Sequence, residues 1–179
     1  MRELSLHILD LIENSIRAGA SIISVTVDEN SEQDYLEIVV EDNGIGLTVS
    51  PEQAMDPYYT TKNGKRTGLG LSLFRGAAEQ AGGKLAIEKS ALGGVAVRAT
   101  MQLSHVDRQP LGDLAATLSS VVCTNPYLDF RFEIGSGKSH RSLRVADVAE
   151  ELCGDERCGL AIARKVSEEI KAGLMTMTG

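Results

Sequence analysis

Positive charge is in short supply in this 179-residue chain: 18 Lys and Arg stand against 25 Asp and Glu, a net charge of -7. That balance excludes a binder of phosphate backbones, which needs a basic face, so no nucleic-acid partner is expected. Long apolar runs are missing as well. No stretch approaches the roughly 18 residues of a membrane span, and Met1 to His7 lacks the apolar core of a secretory signal. No membrane association and a cytoplasmic location are therefore expected. Cysteine is scarce too. Cys123, Cys153 and Cys158 fit reduced thiols in that compartment, and the pair at 153 and 158 has no matching ligand pair elsewhere, so buried thiols are expected rather than a metal site. Internal repeats and low-complexity tracts are absent. What is left is an ordinary globular composition, 42% hydrophobic and 24% charged, at a length suited to one domain with or without a small appendage.

Hydrophobic spacing predicts the order of elements. Glu3 to Ala18 reads as a helix with Ile8, Leu9, Ile12 and Ile16 on one side and Gly19 as its stop. Ile22 to Asp28 and Tyr35 to Glu41 read as strands around a turn at Asn30 to Asp34. The pattern then breaks from Gly44 to Thr67, a long loop of the kind that serves as a functional lid. Helical spacing returns from Leu71 to Ala81, stopped by Gly82-Gly83. Strands follow at Lys84 to Lys89 and Val95 to Leu103. Helix, two strands, lid, helix, two strands is not a βαβ repeat. The expected class is α+β, a two-layer α/β sandwich with helices on one face of a mixed sheet. Beyond Ser104 a helix is expected over Pro110 to Val122, started by its proline. A hairpin of Leu128 to Ile134 with His140 to Val145, and helices over Val145 to Leu152 and Leu160 to Ala172, complete the chain. The division predicted is 1–104 and a small α/β region, 105–179, that packs against the first part or dimerises.

Three places point to a ligand. At about 100° per residue, with His7 at 0°, Asp10 falls at about 300° and Asn14 at about 340°. The three form a polar stripe opposite the apolar side of the first helix. A wet helix face is the plain reading, but such faces are normally built of Lys and Glu. Asp42-Asn-Gly44-Ile-Gly46 ends an apolar strand; its glycines let a ligand approach the backbone, and its carboxylate can accept from the exocyclic amine of adenine. Guanine offers no donor there, so the arrangement favours ATP over GTP. The same five residues read equally well as a turn. Thr67-Gly68-Leu69-Gly70-Leu71 opens a helix, whose bare amides and dipole suit phosphate, and Lys62 just before it can meet a phosphate as a point charge. Gly135-Ser-Gly-Lys138-Ser139 is not a Walker loop, because Phe132 stands where that loop requires glycine.

Taken in order, Asp10-Leu-Ile-Glu-Asn14 with Ala18, Asp42-Asn-Gly-Ile-Gly46, Asp56-Pro-Tyr-Tyr-Thr-Thr61-Lys62 and Thr67-Gly-Leu-Gly-Leu71-Ser72 resemble the GHKL ATP-binding fold. That Bergerat-type fold is shared by gyrase, the heat-shock chaperone ATPase, sensor histidine kinases and MutL. The short lid and Ala81-Gly-Gly-Lys-Leu resemble the sensor kinase branch. The resemblance spans roughly residues 1 to 104. It implies ATP and Mg2+ as ligands, with Asn14 on the metal and Asp42 on adenine. It also implies phosphate contacts from Lys62 and from Gly68, Leu69, Gly70 and Leu71, with Ala18, Gly44, Gly46, Thr61 and Thr67 as further nucleotide-binding positions.

Two departures bear on function. Hydrolysing members carry Glu four residues before the Asn to activate water; here Asp10, one methylene shorter, holds that position. Glu13, about 60° away around the helix, is the fallback base. Sensor kinases also carry a helical hairpin with a phosphoacceptor His ahead of the ATP domain, and here the chain begins at the Asn helix. Ser104-His105-Val-Asp-Arg108-Gln-Pro110-Leu111 echoes that hairpin without its acid, and a linker His is preferred. The expectation is a histidine-kinase-like ATPase or kinase module in signal transduction. The rivals are a stand-alone ATPase switch and an anti-sigma-like binding module acting on a partner protein.

Overall fold

The computed structural model describes residues 3–55, 69–137, 139–152 and 158–177. Its elements run α1 (Leu4–Arg17), β1 (Ile22–Asn30), β2 (Tyr35–Asp42), α2 (Pro51–Ala54), α3 (Leu69–Gln80), β3 (Lys84–Lys89) and β4 (Val95–Gln102). The second half adds α4 (Leu114–Thr124), β5 (Asp129–Ser136), β6 (Ser139–Arg144), α5 (Val145–Leu152) and α6 (Cys158–Met175). The strands make one mixed sheet in the order β3-β4-β2-β1-β5-β6. Among the described residues only β1 and β5 run parallel, with Ile23 opposite Phe130 and Val25 opposite Phe132. The class is α+β, as expected.

Alternation in the strands decides which face the helices cover. Ile23, Val25 and Val27 of β1, Leu36 and Ile38 of β2, and Phe130 and Ile134 of β5 are all within 2% of full burial. They form one apolar cluster with Leu4, Ile8 and Ile12 of α1, Phe74 of α3, Leu118 of α4 and Val166 of α6. The core therefore runs through both halves of the chain. The opposite face of the sheet carries polar pairs, among them Arg98 with Glu37 at 2.6 Å. Because β5 closes the flank of β1, a chain ending at Ser104 leaves β1 as a bare edge beside an uncovered apolar face. Such a chain is expected to lose stability or self-associate. Urea unfolding and sedimentation test this, and a monomer as stable as the full chain would contradict it.

Long-range contacts, not local spacing, set several boundaries. The first amides of α1 find no side-chain cap at Glu3. Instead Leu4 N donates to Pro110 O and Ser5 N to Leu111 O, each at 2.9 Å, which satisfies donors that a helix start leaves bare. Those carbonyls belong to an extended strap, so the helix expected from Pro110 starts only at Leu114. Asp113 caps it by accepting from Ala116 N at 2.9 Å. Inside the expected lid loop stands the short α2, begun by Ser50, whose hydroxyl accepts from Gln53 N, and Pro51.

His7 departs from the polar stripe expected with Asp10 and Asn14 on α1, which line the cavity described below while His7 does not. It is 2% exposed, stacks on Phe74 with centroids 4.9 Å apart and planes at 13°, and shares a hydrogen bond with Gln109 Oε1 at 3.2 Å. An amide oxygen only accepts, so Nε2 carries the proton. Burial pushes the imidazole below its usual pKa of 6.5, against a smaller upward pull from Gln109. The unfolded chain thus takes up a proton at this ring as pH falls through about 6.5, whereas the folded chain resists it to lower pH. The contribution of His7 to stability is whole above that value and lost below it. Unfolding free energies measured between about pH 5 and pH 7.5 should decline on the acid side, and His7→Leu should flatten that decline.

Candidate functional site

A cavity of about 550 Å³ opens between α1, the end of β2, α2 and the start of α3, within the usual size range for small-molecule sites. Asp42 is its most constrained polar group. The carboxylate is 5% exposed. Its Oδ2 accepts from Ser15 Oγ at 2.6 Å, and its Oδ1 accepts from Gly44 N at 2.9 Å and Val95 N at 3.2 Å. Those three donors hold one rotamer, with Asp42 on the cavity wall.

The glycines around it are required by space. A Cβ on Gly44 would stand 2.9 Å from Ala18 O, while one on Gly94 would stand 2.2 Å from Asp42 Oδ1 and 2.7 Å from Gly44 N. Gly46 has φ +81°, in the left-handed region,. Asn43 ties the loop down by accepting from Ser21 N at 2.8 Å and Ile22 N at 2.9 Å. The Ala18 carbonyl accepts from Ile45 N at 3.1 Å, which joins the end of α1 to the loop.

Of the residues singled out in the sequence, the structure brings Asp10, Asn14, Ala18, Asp42, Gly46, Gly70 and Leu71 to the cavity wall. Asp10 lies against Gly70, where a Cβ would come within 1.5 Å of its Oδ2, so the start of α3 presses on the acid of α1. Asn14 Oδ1 accepts from the Arg17 guanidinium. Glu13 does not line the cavity; it is exposed and pairs with Arg17 at 3.4 Å. Gly44 stands behind Asp42 rather than on the wall. Leu69 is the first residue of α3. Thr61, Lys62, Thr67 and Gly68 lie outside the described residues, as does Cys153. His105 does not line the cavity; its Nδ1 accepts from Asp107 N at 3.1 Å.

Sequence reasoning missed Ser15, Arg17 and the apolar wall of Leu47, Val49, Ile87, Val95 and Val97, and Gly94, which stands against Asp42. Ser15 follows Asn14 and faces inward on α1, but only the placement of Asp42, 27 residues on, gives its hydroxyl a task. Among the described residues, no group of three or more His, Cys, Asp or Glu side chains is placed to hold a metal, and no helix is long and apolar enough to cross a membrane. The cavity thus offers a buried carboxylate acceptor beside an apolar slot. Its wall also carries a carboxylate, a carboxamide, a guanidinium and the first residues of α3.

The family model described as histidine kinase-, DNA gyrase B-, and HSP90-like ATPase matches residues 2–105. An uncharacterized sensor-like histidine kinase of Rhizobium meliloti (strain 1021) is 27% identical over 152 residues, covering 80% of this chain and 29% of the relative. The histidine protein kinase DivJ of Caulobacter vibrioides is 34% identical over 92 residues, 49% of this chain and 15% of the relative. The chain thus spans less than a third of the length of these relatives. In fold, the chain is similar to the Aquifex aeolicus MutL ATPase domain complexed with ADP. The TM-score is 0.50 at 16% identity, covering 84% of this chain and 68% of that one.

Proposed function

The chain belongs to the histidine kinase-, DNA gyrase B-, and HSP90-like ATPase family, and from that premise we propose that it binds Mg-ATP and works as a histidine-kinase-like module in cytoplasmic signalling. The observation that carries the ligand is Asp42. Three donors fix its carboxylate, and its remaining acceptor capacity faces the cavity. A charged acceptor in a confined apolar site needs a donor, and the exocyclic amine of adenine supplies one. The apolar wall takes the faces of the base. Guanine leaves the carboxylate without a donor at that place, so ATP is preferred over GTP.

At the other end, the N-terminus of α3 at Leu69, Gly70 and Leu71 offers amides and a favourable dipole to phosphate. In the proposal Thr61, Lys62, Thr67 and Gly68 complete that end. The donor set has a place for magnesium: Asn14 lines the cavity, and its carboxamide oxygen is a hard neutral ligand of the kind the ion takes along with water and phosphate oxygens, provided the Arg17 guanidinium that it accepts from turns away to a phosphate. When bound, the ion neutralises phosphate charge and polarises the terminal phosphoryl group. Asn14 would hold it, and Asp10, one turn earlier on α1, is the group placed to orient or deprotonate a nucleophile. Residues 1–104 form the nucleotide-binding unit in this reading. Residues 105–179 pack on it, or pair with a second copy or a protein partner.

Kinase and ATPase readings share this site, and Asp10 favours keeping both. A sensor kinase transfers to an imidazole and has no use for a water-activating base. An acid at the cavity wall supports hydrolysis. Incubation with ATP labelled at the terminal phosphate separates them. Acid-labile label on protein is the expected result for a histidine kinase module, and free labelled phosphate is that for an ATPase switch. Neither product, with ATP bound, leaves a binding module, the anti-sigma-like case; no binding of ATP at all overturns the proposal.

A further inference from the structure

Helices α1 and α3 meet in two layers. The first is the cavity wall, where Asp10 lies against Gly70. The second lies one helical turn away on both helices, where the His7 ring stacks on Phe74. Phe74 is 1% exposed and His7 2%. A leucine at position 7 would cover Phe74 equally well, so packing does not explain a histidine. The imidazole also carries a cost: Nδ1 is buried with no hydrogen-bond partner, which penalises the folded state.

What histidine adds is a polar link outward, from Nε2 to Gln109 Oε1 at 3.2 Å. Gln109 belongs to the strap between β4 and α4, which is tied down along its length. Arg108 Nε donates to Leu103 O at 2.6 Å and its Nη1 to Gln109 O at 3.3 Å. Pro110 and Leu111 accept from the first amides of α1, and Gly112 sits where a Cβ would meet Ser5 Oγ at 2.6 Å. The strap leads directly into α4, which packs on α6. One side chain therefore touches the strap with its edge and α3 with its face, a single turn from the cavity.

We infer that His7 is a positioning residue. Through it, the strap from residue 103 to 113 sets where the first turn of α3 stands, and so how well the cavity holds phosphate. The inference rests on the nucleotide reading above. It has an asymmetric consequence, because the adenine end is held separately: Asp42 takes its hydrogen bonds from Ser15, Gly44 and Val95, none of which bonds to His7 or the strap. Loosening the joint weakens the grip on the phosphates and leaves adenine recognition alone. Anything that moves α4, including a partner seated on the C-terminal half, would then act on ATP through this joint.

The test measures ATP and adenosine affinity on the full chain, by calorimetry and ligand-observed NMR, for wild type, His7→Leu, Gln109→Ala and Gln109→Glu. Thermal midpoints serve as the check on folding. Gln109→Ala and His7→Leu should each weaken ATP about threefold to tenfold, the value of one hydrogen bond. Adenosine affinity should stay the same, and Gln109→Glu, which keeps the acceptor, should hold ATP as wild type does. A folded Gln109→Ala with unchanged ATP affinity overturns the inference. So does a parallel loss for ATP and adenosine, which marks general loosening. Wild type binding neither ligand removes the nucleotide reading and this inference with it; wild type binding ATP with all variants alike removes the joint alone.

Discussion

Asp42→Asn should cost most of the ATP affinity while leaving the fold intact. The substitution is isosteric. The amide oxygen can stay on the Gly44 and Val95 amides, and the Ser15 hydroxyl can reverse to accept from the new NH2 group. The core around it is then undisturbed, and the thermal midpoint should move little. For the ligand, a charged acceptor has become a neutral donor facing the adenine amine, itself a donor. Loss of one charge-assisted hydrogen bond is about 1.5–3 kcal/mol, roughly tenfold to a hundredfold in affinity, and the opposed donors add to it. Calorimetry in magnesium buffer should find clear binding by wild type and little or none by the variant. Affinity within a few fold of wild type would mean that Asp42 does not read the base.

Gly94→Ala should damage both stability and binding. The added methyl would lie 2.2 Å from Asp42 Oδ1, 2.7 Å from Gly44 N and 2.8 Å from Asp42 O. Two of those atoms are backbone, so the methyl is accommodated only by pushing β4 away from the Asp42 loop. Overpacking of this kind costs about 1–3 kcal/mol, and the movement takes the carboxylate out of place. Gly76→Ala is the matched control. It lies within α3 with open space where its Cβ would go, and alanine there should stabilise by up to about 1 kcal/mol. Urea unfolding and ATP titration of the two variants should diverge in both readouts. A Gly94→Ala protein that binds ATP like wild type would show that the loop has slack the geometry does not suggest.

The elements of the nucleotide fold were legible because their signals are local. Ile23, Val25 and Val27 alternate as a half-buried strand must, and β3 is observed at the bounds its pattern predicts, Lys84–Lys89. Asp42, Gly46 and Gly70 announced themselves through glycine spacing, and the cavity gathers all three. Contacts between distant parts of the chain were not legible. His7 read as one of three polar residues on a stripe that points to a ligand, since nothing nearby in sequence discloses Phe74 or Gln109, the latter 102 positions away. Pro110 read as a helix start, yet its carbonyl is taken by an amide of α1. Gly94 falls in the sequence between two expected strands, and its place against Asp42 needs the third dimension. Ser50-Pro51 is a local start signal for α2 that the breakdown of periodicity around it concealed.

Hydrogen exchange of the full chain with and without Mg-ATP tests most directly whether the cavity between α1 and α3 is the nucleotide site. Slower exchange is expected at the C-terminal half of α1, at residues 42–46 and at the first turn of α3, and Asp42→Asn should abolish it. Unchanged exchange at those three segments in saturating Mg-ATP, or protection confined to the α4 to α6 half of the chain, would contradict it.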